Sequence, residues 1–118
     1  MPKKWMKYQK WEDFLDKRFI NNPEEKDAYI ELSLKEYEEN KDLDVLLYSL
    51  KNVARSMGWK QLEKETGITR QALCKALSVN GNPTISTLQK ILKVMGYTFS
   101  FQPIVLENSR YAKKIVNG

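Results

Sequence analysis

The stretch from Gln61 to Leu77 constrains this chain more than any other. It reads Gln61-Leu62-x-x-x-x-Gly67-Ile68-Thr69-x-x-x-Leu73-x-x-Ala76-Leu77. Two short helical segments, Gln61 to Thr66 and Arg70 to Leu77, stand on either side of Gly67. Two short helices joined at a steep angle need a tight turn, and glycine takes the left-handed backbone such a turn demands. Thr69 is placed to cap the second segment. Leu62, Ile68, Leu73 and Leu77 then pack inward. Thr69, Arg70, Gln71, Cys74, Lys75 and Ser78 face outward. That outward face suits DNA. The N-terminal end of the second helix enters the major groove first in such a motif. There Arg70 can bridge guanine and Gln71 adenine, each pair giving about 1–3 kcal/mol of discrimination. Lys64 and Lys75 suit phosphate, which fixes position rather than sequence. Lys60 and Gln61, opening the first helix, complete the expected DNA-facing set. The plainer reading makes these residues an ordinary solvated helix surface.

The flanking segments are read from their periodicity. Trp11, Phe14, Leu15, Arg18 and Phe19 recur at helical spacing over residues 11–20, and Asn21-Asn22-Pro23 breaks that run. Pro23 to Glu39 is ambiguous. Ala28, Ile30, Leu32 and Leu34 alternate as in a strand, yet Ile30, Leu34 and Tyr37 fit one helix face. The density of Glu and Lys favours helix, with Asn22 as cap and Pro23 in the first turn. Asp44 is expected to cap a helix running to Met57, with Leu46, Leu47, Leu50, Val53 and Ala54 on one stripe and Gly58 at its end. Asn80-Gly81-Asn82-Pro83 is a loop. Ser86-Thr87-Leu88-Gln89 reads as a capping box for a last helix carrying Leu88, Ile91, Leu92 and Met95. Tyr97 to Gln102 alternates aromatic and polar, the period of a strand. Leu106 to Gly118 carries no clear signal.

Composition excludes much. The chain has no histidine, so the commonest general base and metal ligand are absent. Its one cysteine, Cys74, permits no internal disulfide and no thiolate zinc site. No metal, cofactor or catalytic residue is expected, and no enzyme activity. No apolar run approaches the ~20 residues that span a bilayer, and Met1 to Lys10 lacks the apolar stretch of a secretory signal. A reducing cytoplasm is the simplest home. The net charge of +5 is uneven: residues 21–44 carry nine acidic against three basic side chains, and residues 45–118 three against eleven. The basic part suggests a polyanion partner.

Beyond the central pair, a longer pattern is specific. It comprises Tyr29-Ile30-x-x-Ser33-Leu34, Asp44 to Leu50, Val53-Ala54-Arg55-x-x-Gly58, Gln61-Leu62 and Gly67-Ile68-Thr69-Arg70. It continues with Lys75-Ala76-Leu77-Ser78, Gly81-Asn82-Pro83, Thr87-Leu88-x-Lys90 and Met95-Gly96. Over residues 27–101 this order and spacing resembles the probable addiction-module antidote proteins. They are a HigA-like group within the lambda-repressor-like (XRE) helix-turn-helix family. The resemblance implies five helices with the motif pair in second and third place. It also implies an antitoxin encoded beside a small RelE/HigB-like ribonuclease toxin, binding that basic toxin and repressing the shared promoter as a homodimer on double-stranded DNA.

The expected architecture is all-α: a five-helix lambda-repressor-like helix-turn-helix domain with an N-terminal helical extension and a short C-terminal β-strand. Residues 1–22 form a basic extension, 23–102 the helix-turn-helix domain with its strand, and 103–118 a tail. A lone strand cannot stand unpaired, so Tyr97, Phe99 and Phe101 are the expected dimer contact. The alternative is that this segment folds onto its own domain. Lys3, Lys4, Trp5, Lys7 and Tyr8 offer phosphate or protein contacts, or form an arm with no role. The acidic segment 21–44 suits a basic toxin, with Glu31 and Glu36 as its test positions. Two positions depart from the family pattern: Glu63 replaces a small residue and Lys60 a hydroxyl cap, and Glu63 is placed to satisfy the amides Lys60 leaves bare. Two other readings stay open: a stand-alone phage or plasmid repressor, and a protein-interaction module without DNA binding.

Overall fold

One residue, Asn22, separates the first two helices. The computed structural model describes residues 4–104, with side chains from Lys10 onward. Six helices occur among the described residues: α1 (Lys4–Asn21), α2 (Pro23–Asn40), α3 (Leu43–Met57), α4 (Trp59–Thr66), α5 (Arg70–Ala76) and α6 (Ile85–Val94). None is long and apolar enough to cross a membrane. The tail expected over 103–118 lies, beyond Ile104, outside the described residues.

Proline fixes the break between α1 and α2, because the residue before it is pushed out of the helical region. Asn22 accordingly sits at φ −134°, ψ 79° with Pro23 opening α2. Its side chain closes α1 instead of capping α2: Nδ2 donates to the Arg18 carbonyl at 3.0 Å. The alternation within α2 that suggested a strand reflects an exposed Leu32 beside a buried Ile30. Ser33 tucks inward too, its hydroxyl donating to the Tyr29 carbonyl at 2.8 Å.

Helix α3 is the centre of the core. Leu47, Leu50, Val53 and Ala54 are fully buried, and Leu46 nearly so. α1 and α2 pack on α3 and on each other; α4 packs on α3, α5 and α6. Ile30, Leu62, Leu73, Leu77 and Ile91 bring the other helices into the same core, and α1 adds Leu15 and Phe19. Each such side chain contributes on the order of 1.5–3 kcal/mol by leaving water. A polar network pins α1 to this core. The Arg55 guanidinium grips Asp16 through Nε at 2.9 and 3.0 Å, donates to Asn52 Oδ1 at 3.0 Å and reaches the Glu12 carbonyl at 3.3 Å. Asn52 in turn donates to the Tyr29 hydroxyl at 3.2 Å. Among the described residues no buried side-chain polar atom lacks a partner.

Several expectations are corrected. α1 starts at Lys4, earlier than its apolar pattern suggested. Asp42, not Asp44, caps α3, accepting from the Val45 amide at 3.2 Å. Asp44 instead accepts from the Asn80 amide at 3.1 Å, tying the loop before α6 to α3. Thr84 caps α6 in place of Ser86, accepting from the Thr87 amide at 3.1 Å. The motif pair is fourth and fifth in the chain, and second and third only when counted from α3.

The C-terminal β-strand is also absent: residues 97–104 form no strand, and none occurs among the described residues. A strand is defined by its partner, and this segment is instead used against the helices. Tyr97 donates its amide to the Leu92 carbonyl at 2.9 Å, and Tyr97 and Phe99 pack partly buried on the core. Burial lifts the Tyr97 hydroxyl above its ordinary pKa, with added effect from Glu31 and Asp27 of α2. The period-two aromatics thus record alternate packing against α2 and α6, while Phe101 is left exposed.

Candidate nucleic-acid interface

Gly58 joins α3 to α4 with no linker. Its amide donates to the Ala54 and Arg55 carbonyls, and its own carbonyl accepts from Leu62. The backbone there, φ 97° and ψ 122°, is open to glycine and strained for other residues. Because α4 begins at Trp59, Lys60 lies inside the first turn and does not occupy a cap position.

The turn that follows is held by three local devices. Gly67 adopts φ 73°, ψ 12°, and its amide returns to the Glu63 carbonyl at 2.9 Å. Thr66 is buried; its hydroxyl donates to the Leu62 carbonyl at 2.6 Å and accepts from the Ile68 amide at 3.1 Å. Thr69 caps α5, accepting from the Ala72 amide at 3.2 Å. The role of Thr66 was missed from sequence, although a threonine just before a helix-ending glycine carries the needed donor and acceptor.

Glu63 behaves differently from expectation. Its carboxylate accepts from the Arg70 backbone amide, so it reaches across the turn to the start of α5 and does not serve its own helix. A carboxylate there satisfies a free amide and offsets the positive end of the helix dipole.

On α5, Thr69, Arg70, Gln71 and Lys75 are exposed, and Cys74 and Ser78 are half-buried on the same face. The Thr69 hydroxyl is engaged in capping, and the Ser78 hydroxyl donates to the Lys75 carbonyl at 2.7 Å. Lys60 and Gln61 are exposed at the start of α4, where Gln61 donates to Glu65 at 2.7 Å. Lys60, Arg70, Gln71, Cys74 and Lys75 are therefore the members of this set whose side chains have no hydrogen-bond or ion-pair partner among the described residues. The side chains of Lys4, Trp5, Lys7 and Tyr8 and the whole of Lys3 lie outside those described. Beside α5, a cleft of about 440 Å³ lined by Ala72, Lys75, Ser78, Asn82 and Thr87 runs to the start of α6. Gly81 shapes it: a Cβ there would lie 2.5 Å from the Ala76 carbonyl oxygen.

The fold and site define a small all-helical protein that presents one short polar helix, set by a glycine turn, on the surface of a common core. Residues 14–103 match the family described as "Probable addiction module antidote protein", and the chain belongs to that family. A protein from Haemophilus influenzae, itself described as uncharacterized, is 36% identical over 73 residues, covering 62% of this chain and 75% of that protein. No solved structure matches the chain. Membership in an antidote family implies a toxin as partner, and antidote proteins are generally not enzymes.

Proposed function

We propose that this protein is the antitoxin of a two-gene module, a sequence-specific repressor of its own promoter that also binds and neutralises a RelE/HigB-like toxin. The observation that supports the DNA half is the pair of short helices α4 and α5 joined at Gly67, an arrangement that fits a helix-turn-helix, with Arg70, Gln71 and Lys75 exposed on α5 or its flank. In this reading α5 enters the major groove, Arg70 and Gln71 contact base edges, and Lys75, with Lys60 and Gln61, holds phosphate. A homodimer then addresses two half-sites about one DNA turn apart. Family membership supports the toxin half, and the acidic surface of α2, including Glu31 and Glu36, offers a place for a basic toxin.

The test is a gel shift on the DNA upstream of the protein's own gene, comparing wild type with Arg70→Ala/Gln71→Ala. The expected result is a specific shift lost in the double variant, weaker by at least about tenfold if each contact has its usual worth. Absence of a specific shift at low salt and high protein concentration would overturn the DNA reading and leave a protein-interaction module.

A further inference from the structure

α1 divides its charges between two faces. Glu12 and Asp16 turn toward α3, where the Arg55 guanidinium meets their carboxylates at 3.7 and 2.9 Å. Arg18 is engaged by Glu25 at the start of α2. Lys10 and Lys17 are left exposed on the outside, without an ion-pair partner among the described residues. They lie four residues before and three after Phe14, so the three share one face. In the sequence, Lys3 and Lys7 continue the same spacing toward the start of the chain. Among the described side chains of α1, Asp13 is the one acid left exposed.

That outer face is also aromatic. Trp11 and Phe14 stack on each other, ring centroids 5.7 Å apart and planes 22° from parallel, yet they are 48% and 53% exposed. Two adjacent large rings in water form a patch, unlike scattered single residues. Beside Phe14 a cleft of about 370 Å³ opens against Ala28 and Leu32 of α2, an apolar slot with room for a flat ring. Lys10 and Trp11 precede residue 14, where the family match begins, so the match does not account for this surface.

We propose that this face of α1 binds single-stranded RNA. Lysines interleaved with exposed rings suit a single strand: the cations follow its phosphates and the rings receive its unstacked bases. A duplex keeps its bases stacked inside and offers the rings nothing. Strands with splayed bases are the ordinary condition of RNA loops and ends. An acidic protein would satisfy the lysines, but the ring pair and the slot beside it match flat bases. α2 sets the path of the strand. Beyond Leu32 it presents Glu36 and Glu39 against the single cation of Lys35, all exposed. That edge repels phosphate on balance, so the strand lies along α1. The surface is separate from α5, which packs on α4, and the inference stands whatever α5 reads.

Titrating a labelled mixed-sequence RNA strand of about 20 nucleotides with the full chain at low salt tests this. Wild type is expected to bind it, and to bind a DNA strand of the same sequence equally, since neither stacking nor phosphate contact reads the 2′-hydroxyl. Trp11→Ala/Phe14→Ala is expected to bind at least about tenfold more weakly. Lys10→Gln/Lys17→Gln should make the logarithmic salt dependence shallower by about 1.4. All four positions are exposed, so the helical melt should not move. Trp11→Phe keeps a ring and should keep the binding, while removing the Trp11 share of the emission quenched by RNA, a signature that loss of fold does not produce. Arg70→Ala/Gln71→Ala should bind the strand as wild type does, so failure of the α5 reading leaves this one standing. A wild type that ignores both strands at low salt overturns the proposal and leaves the face to a protein partner. Binding that the ring variants leave unchanged also overturns it, reducing the contact to non-specific charge. So does binding lost with Arg70→Ala/Gln71→Ala alone, which puts the strand on α5.

Discussion

The α4–α5 pair and the α1–α2 pair are held by opposite means. In α4–α5 nearly every polar fixing contact is local: Thr66 to Leu62 and Ile68, Gly67 to Glu63, Thr69 to Ala72, Glu63 to Arg70. In α1–α2 the decisive contacts are distant, and Arg55 reaches Asp16 and Glu12 from 39 and 43 residues away. A surface that must present a fixed face to a partner can be built from a few adjacent residues. A scaffold that covers the core depends on side chains from elsewhere. The contrast predicts how each pair fails.

The largest effect is expected at the long-range clamp. Arg55→Ala strands the Asp16 carboxylate and Asn52 in a partly buried site and should lower unfolding stability by about 3 kcal/mol in urea. Hydrogen exchange should rise first in α1. Uniform exchange across all helices would show that α1 and the α4–α5 pair are not separable. Gly67→Ala comes next. The added methyl meets nothing within 4 Å, so only the positive φ resists, at about 1–2 kcal/mol. Under the proposed DNA reading, the expected signature is weakened DNA binding with the α1–α2 pair unaffected. A loss of less than about 0.5 kcal/mol would mean that the turn relaxes into another backbone conformation. Thr69→Ala removes one cap and should cost about 1 kcal/mol by thermal melting, while Thr69→Asp should retain most of the stability. Glu63→Gln is the smallest structurally, about 0.5 kcal/mol from the lost charge at the start of α5. Under the proposed DNA reading it should also tighten DNA binding by roughly threefold, because a negative charge beside the start of α5 is removed. Weaker binding would show that Glu63 matters more for positioning Arg70 than for its charge.

The same contrast explains what the sequence could convey. Gly67, Thr69 and the inward leucines of α4–α5 were legible because their constraint lies within a few residues of each position. The caps of α3 and α6 were displaced by two residues. Asp42 and Asp44, like Thr84 and Ser86, are chemically equivalent candidates, and only the loop contact of Asp44 with Asn80 decides between the first two. The Arg55 network was invisible, since nothing in the spacing of Glu12, Asp16, Asn52 and Arg55 marks them as neighbours. The aromatic alternation of Tyr97, Phe99 and Phe101 was read as a strand because period two is shared by a sheet and by an irregular segment lying against helices. What separates them is whether backbone partners exist, and that is a property of the whole fold. Glu63 shows the limit within the site itself: its residue type suggested amide satisfaction, but its recipient lies seven residues on.

Gly58 has a mechanical consequence. One residue both terminates α3 and begins α4, so the chain has no slack at that point. A partner that tilted α3 by pressing on α1 and α2 would have to carry α4 with it, as the short arm of a lever whose pivot is a single backbone unit. Inserting even one residue there would uncouple the two arms. Any adjustment of the angle at which α5 is presented therefore falls to the next joint along the chain, the turn around Gly67.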